Sequence, residues 1–325
     1  MELYPFAFEP ILQDRIWGGS RLAELYGKKV TAGSTIGESW EVSDRPDASS
    51  VVINGPLAGK SLRWLMEHHA AEILGQARSI QGRFPLLIKL LDARQKLSLQ
   101  VHPPANLAAA MGGEPKTEIW YFSEADPGAE ILAGIKRGLT KEEFARKTLD
   151  GTVADCFHTL PVKTGDCMFL PSGRVHALGQ GMVIFEIQQN SDTTYRVFDW
   201  NRTDASGQKR QLHVDQSLKC IDFADFEPAL TTPKMIADIN GVRINSLADN
   251  ELFRVELASF SDGSGLHLSL DKALIVASAE GSLMVRHGQS NLELRSGSFA
   301  LVPASLGRVE ILAVGSAKAL LATPG

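Results

Sequence analysis

Cysteine is scarce: the 325 residues hold three, Cys156, Cys167 and Cys220, and no two form a C-x-x-C pair. An odd thiol count argues against a disulfide framework and suits a reducing compartment, so a cytoplasmic location is expected. No uninterrupted apolar stretch approaches the roughly 20 residues of a membrane helix. The opening MELYPFAFEPILQDRIWGG lacks the basic start and apolar run of a signal peptide. Positive charge is not in excess either. The 33 Lys and Arg against 38 Asp and Glu leave a net charge of −5, which offers no pull toward nucleic acid or an anionic membrane. A Walker loop and a G-x-G-x-x-G fingerprint are both missing, so no nucleotide cofactor is indicated. What remains is 44% hydrophobic, enough for a sizeable core and, at this length, for two domains.

The most informative stretch is KLSLQVHPPANLAAAMGGEPKTEIW, Lys96 to Trp120. Its start alternates strictly, so Leu97, Leu99 and Val101 share one strand face while Ser98, Gln100 and His102 share the other. Gln and His two apart are both competent metal ligands, and Pro103-Pro104 then stops the strand. A second strand is expected over 116–122, with Lys116, Glu118 and Trp120 on one face. A carboxylate and an ammonium beside an aromatic indicate a wet, shaped pocket. His176, in LPSGRVHALG, follows a Gly-Asp turn and a Leu-Pro strand end. A lone strand histidine is ordinarily just hydrogen bonded, but Gln100, His102, Glu118 and His176 together form a nitrogen and oxygen set suited to zinc.

With PLLIKLLDA, LSLQVHPP, KTEIWYF, PSGRVHAL and FEIQQNSDTTYRVFDWNR in this order, the chain resembles the type I mannose-6-phosphate isomerases, in their short bacterial form. The resemblance runs from about Pro5 to Phe223. It implies a mainly β protein of two cupin-like β-barrel (jelly-roll) domains with a few short helices. It also implies one Zn2+ per chain on Gln100, His102, Glu118 and His176. Lys89, which interrupts a nearly continuous apolar strand at Phe84–Ala93, is then a pocket residue and not a snorkelling one. Trp17 in WGG and Glu38 in ESWEVS correspond to segments near the active-site mouth, and Ser98 joins them as a substrate-binding candidate. Glu186 and Arg196 match places in the family's active site.

Elsewhere the chain reads plainly. SLRWLMEHHAAEILG has apolar residues at helical spacing and a Gly stop, with His68 and His69 toward solvent. Thr140–Leu149 opens with a T-K-E-E cap, Asn106–Met111 is a short helix, and Leu212–Phe223 is another. His158 reads as structural, and Asp192 as a local turn cap. Ser296-Gly297 through Val302-Pro303 echoes Thr164-Gly165 through Pro171, and Glu310 stands near the place of His176. This echo, with short strands and Gly/Ser turns after Phe226, predicts a catalytic metal-binding domain at 1–225 and a metal-free, structural β domain at 226–325.

The chemistry expected is an aldose–ketose isomerisation of mannose 6-phosphate and fructose 6-phosphate by proton transfer through a cis-enediol. Arg196 suits stabilising an enediolate or binding a phosphate. Glu186 is a proton carrier or the carboxylate that orients Arg196. Lys116 and Lys89 serve phosphate binding or proton transfer. Two other readings compete: a non-catalytic sugar-phosphate-binding cupin, and an iron-dependent cupin oxygenase, which two His and a carboxylate would also serve. The expected partner is a small-molecule sugar phosphate, with no nucleic acid and no membrane, for a monomer or homodimer.

Overall fold

The computed structural model describes residues 2–31, 33–203 and 207–325. Strands dominate, as the alternating sequence demands. In the first part of the chain two antiparallel sheets face each other. One has six strands, in the order Cys167–Leu170, Glu118–Ala125, Met182–Gln189, Leu86–Ala93, Ile36–Val42 and Ile11–Gly19. The other has five, in the order Phe157–Pro161, Glu130–Ile135, His176–Leu178, Leu99–Val101 and Tyr195–Phe198. The central strands Leu86–Ala93 and Met182–Gln189 are buried along their whole length, which explains their almost unbroken apolar run.

The barrels expected from the sequence are open in their hydrogen bonding. Among the described residues the two sheets of the first unit share no ladder, and they face each other as the two halves of a jelly roll. Their inner faces differ along the strands. Apolar residues such as Ile131, Phe122, Met168 and Ile184 fill one end, while charged residues line the other. That division gives the fold its site.

Helices are few, and their ends follow their caps. Leu62–Leu74 starts at Ser61, whose side chain accepts from the Trp64 N–H, and stops at Gly75. Lys141–Asp150 starts at Thr140, which accepts from the Glu143 N–H, as the T-K-E-E signature predicts. The helix expected over Leu212–Phe223 is shorter, Val214–Cys220. His68 lies exposed against the Trp64 ring, 4.2 Å between centroids.

The last part of the chain forms one eight-stranded antiparallel sheet between Lys234 and Pro324. Long strands Leu274–His287 and Arg308–Pro324 form its spine. It is tied to the first part: Phe6 and Leu301 exchange backbone hydrogen bonds at 2.8 and 2.9 Å. One apolar cluster, including Phe6, Phe84, Phe185, Phe253 and Phe299, runs through both parts. Among the described residues no helix is long and apolar enough to cross a membrane. All three cysteines are free and buried.

Candidate active site

The site is built from cross-strand register. Directly opposed residues of antiparallel strands share a face. Lys89 stands opposite both Glu186 and Trp40, and Glu186 opposite Trp120, so these four project into the space between the sheets. Glu118 lies opposite Gln188 on the same face, two residues along from Trp120. On the facing sheet, Gln100 lies opposite both His176 and Arg196. The strand expected to begin at Lys116 begins at Glu118, so Lys116 enters from the preceding segment.

His102, Glu118 and His176 converge, all at most 1% exposed, with ligand atoms within 4.8 Å of one another. Each imidazole is oriented by the backbone: His102 Nδ1 donates to the Thr193 carbonyl and His176 Nδ1 to that of Arg174, both at 2.9 Å. Because a carbonyl can only accept, each ring carries its proton on Nδ1 and turns the Nε2 lone pair inward. Those two Nε2 atoms and both Glu118 oxygens make no well-formed hydrogen bond although fully buried, and of the four only Glu118 Oε2 has a donor beside it, the Lys116 ammonium at 2.9 Å. Buried acceptors left this poorly matched are costly in a protein interior unless a cation sits among them. The residues therefore fit a divalent metal, and the Nδ1–carbonyl pairs are the outer support such ligands need. Gln100 flanks the group from the neighbouring strand and lines the adjoining cavity.

That cavity, about 490 Å³, is lined by Trp17, Glu38, Lys89, Ser98, Gln100, Lys116, Glu186 and Arg196 among others. All the substrate-binding and catalytic candidates named from sequence thus meet in one place. Their charges alternate. Arg15 Nε lies 2.8 Å from Glu38, and Lys89 Nζ lies 3.6 Å from Glu38 and 3.5 Å from Glu186. Lys116 Nζ lies 3.8 Å from Glu186 and 2.9 Å from Glu118. Burial opposes the Glu38 carboxylate, but Lys89 and Arg15 outweigh it and hold its pKa at about 2. Burial likewise opposes charge on Glu118, and Lys116 with the two imidazoles pulls it well below the usual range. Burial and the Lys116 ammonium push His102 down to about 3, leaving it neutral. Burial raises Glu186, which Lys116 and Lys89 only partly offset. The carboxylates of one cavity therefore differ in basicity, as acid–base chemistry requires.

Sequence reasoning missed Arg15 and Arg210, which also line the cavity. Neither belongs to a recognisable motif. Gly37 gives the only hint for Arg15: a Cβ there would stand 2.5 Å from the Arg15 Cβ and 2.8 Å from the Trp17 ring. Asp192, read as a local turn cap, also lines the cavity. In the second unit, His267 has a glutamate on the neighbouring strand. It pairs directly with Glu310, 3.4 Å away, but His267 is largely exposed. Among the described residues, His102, Glu118 and His176 are the one group of three such side chains close enough to hold a metal.

Two facing sheets, an apolar end and a buried two-histidine, one-carboxylate group at a charged cavity define a cupin-type metal-binding protein. Residues 6–132 match the family model described as phosphomannose isomerase type I, catalytic domain. A mannose-6-phosphate isomerase of Streptococcus mutans is 36% identical over 95% of this chain and 97% of its own length. The crystal structure of the mannose 6-phosphate isomerase from Bacillus subtilis superposes with a TM-score of 0.88 at 30% identity, covering 98% of this chain and 99% of that one. A mannose 6-phosphate isomerase solved with zinc bound shares the fold at 18% identity, with a TM-score of 0.78 over 98% of this chain and 99% of that one. The chain belongs to the type I phosphomannose isomerase family.

Proposed function

We propose that this chain is a zinc-dependent mannose-6-phosphate isomerase, interconverting mannose 6-phosphate and fructose 6-phosphate. The observation that carries the metal reading is the convergence of four buried acceptor atoms, none in a well-formed hydrogen bond, on His102, Glu118 and His176. Gln100 completes the donor set, and its neutrality leaves the ion more positive than a second carboxylate would. When bound, zinc supplies a Lewis acid toward the sugar oxygens at C1 and C2.

The protein groups have separate tasks. Moving a proton between C1 and C2 needs a group that can both take and give it. Glu186 is the candidate: it lies on the cavity wall, its pKa is raised by burial, and Lys89 and Lys116 flank it. Trp120 Nε1 donates to Glu186 Oε2 at 3.0 Å, so one oxygen is fixed and the other faces the lysines. Arg196, opposite Gln100 and therefore near the metal group, offers a permanent positive charge to an enediolate. Burial with Arg210 nearby lowers the Arg196 pKa, yet a guanidinium stays charged through the working range. Lys89, Ser98, Trp17 and Glu38 form the remaining substrate wall. Residues 226–325 act as a structural unit packed against the six-stranded sheet.

An iron oxygenase would not need this run of lysine and arginine, and a passive binder would not need carboxylates of differing basicity. The direct experiment follows mannose 6-phosphate by NMR with the purified protein. Appearance of fructose 6-phosphate supports the reading, and an unchanged spectrum at high enzyme concentration refutes it. Three unpaired thiols suit the reducing cytoplasm as the place of action.

A further inference from the structure

The two histidines of the candidate metal group are oriented in different ways. His176 donates through Nδ1 to the carbonyl of Arg174, two residues back, so its partner comes with its own segment. His102 donates to the carbonyl of Thr193, 91 residues away in sequence, at 2.9 Å. Thr193 lies between the strands Met182–Gln189 and Tyr195–Phe198, outside both. Its carbonyl stays aimed at His102 only if something other than a ladder fixes that segment.

The Gly-Gly-Glu-Pro segment that precedes Lys116 does this. The Glu114 N–H donates to Thr193 Oγ1 at 3.0 Å, and the Glu114 carbonyl accepts from Ser191 Oγ at 3.0 Å. Ser191 Oγ also accepts from the Thr193 N–H at 3.2 Å, which closes the contact. Gly113 lets the segments approach: a Cβ there would stand 2.7 Å from Thr193 Cγ2. The Glu114 carboxylate is gripped by two guanidiniums, Oε1 by Arg83 Nη2 and Oε2 by Arg45 Nη1. Arg45 Nη1 donates to the Asn190 carbonyl as well, at 3.0 Å, so one arginine ties both segments. Burial works against the Glu114 charge, but Arg83 and Arg45 outweigh it and lower the pKa of the carboxyl. Their side chains are mostly buried, 8% and 14% exposed, and none of the three residues is among those lining the substrate cavity.

We propose that Glu114, clamped by Arg45 and Arg83, is a positioning residue for His102: through Thr193 it holds the imidazole proton on Nδ1 and keeps the Nε2 lone pair turned into the metal group. The proposal rests on the metal reading and adds the device that sets the affinity of the site. An imidazole nitrogen binds a metal only when it is free of its proton. Without the clamp the Thr193 carbonyl loses its fixed place, and the His102 ring gains a second tautomer and other rotations that oppose binding. Removing Glu114 also leaves two mostly buried guanidiniums without their shared anion, which drives the segments apart.

The test uses metal-free wild type, Glu114→Ala and Thr193→Val. Zinc affinity is measured by competition with a chromophoric chelator, and the histidine tautomers of the same samples are read by nitrogen NMR. Glu114→Ala should bind zinc on the order of 10- to 100-fold more weakly than wild type. Its His102 ring should populate the form protonated on Nε2, while His176, whose partner lies on its own segment, keeps its proton on Nδ1. Thr193→Val keeps the carbonyl and removes only the hydroxyl that Glu114 holds, so it serves where Glu114→Ala does not fold. It should move both readouts in the same direction by less. Unchanged affinity and tautomer in Glu114→Ala, or in Thr193→Val where Glu114→Ala does not fold, would overturn the assignment. Equal changes at His102 and His176 would overturn it too, since they mark general loosening. If wild type binds no zinc, the metal reading falls, and the tautomer of His102 in the variants still decides the clamp.

Discussion

Arg196 and Gln100 stand directly opposite each other on neighbouring strands, so a permanent cation and a metal-ligand candidate share one wall of the cavity. In the proposed isomerisation an arginine placed there would act chiefly on charge that develops during proton transfer. Arg196→Ala should lower kcat on the order of 100-fold or more, with KM changing less. Arg196→Lys should recover only part, because a point charge lacks the planar fork. Steady-state kinetics on mannose 6-phosphate decides: a variant with only KM raised places Arg196 at the phosphate instead, and one with neither constant changed removes it from the site.

Glu38 links the cavity charges to stability. Its carboxylate is held at about 2 against an ordinary value of 4.5 by Lys89 and Arg15, despite burial. A depressed carboxylate contributes stability that is present above its unfolded pKa and is lost as pH falls through the folded one. Glu38→Gln should therefore cost on the order of 3 kcal/mol at pH 7, since it also strands two cations. The gap between variant and wild type should shrink between pH 4.5 and about 2. Urea melts across that range check it, and a gap that stays constant down to pH 2 would contradict the assigned ion pairs.

Much of this site was legible from strand periodicity. Period two alone placed Ser98, Gln100 and His102 on one face, and the same rule paired Glu118 with Trp120 on another strand. Lys89 was visible because a charge in a fully apolar strand must have somewhere polar to go. What periodicity cannot say is which faces meet. The approach of Glu118 to His102 and His176 depends on two sheets packing face to face, and the ranks of Arg15 and Arg210 depend on tertiary neighbours far away in sequence. Asp192 shows the same limit: an aspartate after Asn-Ser has the composition of a turn cap, and its place in the cavity lining is not visible in that local pattern. The echo of the first unit in the second predicted strands correctly, while the pairing of His267 with Glu310 is set by register across long strands that local spacing does not reveal.

The second unit should carry no catalytic metal. His267 is largely exposed, 80% of its side chain open to water, and His287 Nδ1 is engaged with the Arg308 carbonyl at 2.8 Å. The double variant His267→Ala/His287→Ala should keep metal content and turnover near wild type. Metal loss in that variant, measured by elemental analysis, would place a ligand outside the first unit.

The thiols should be inert in the folded protein. Burial pushes Cys167 up to about 12 and Cys220 to about 11, and raises Cys156 as well. Thiolate is the reactive form, so a disulfide reagent at pH 8 should titrate none of the three quickly and all three after unfolding. Rapid modification of even one native thiol would show that its surroundings are open.

The central claim is that His102, Glu118 and His176 hold a zinc ion on which isomerisation depends. The most direct measurement couples elemental analysis to the mannose 6-phosphate assay on the same samples of wild type, His102→Ala and His176→Ala. The account predicts about one zinc per wild-type chain, activity abolished by chelation and restored by added zinc, and loss of both metal and turnover in each variant. A His102→Ala protein that is free of metal and fully active would contradict it.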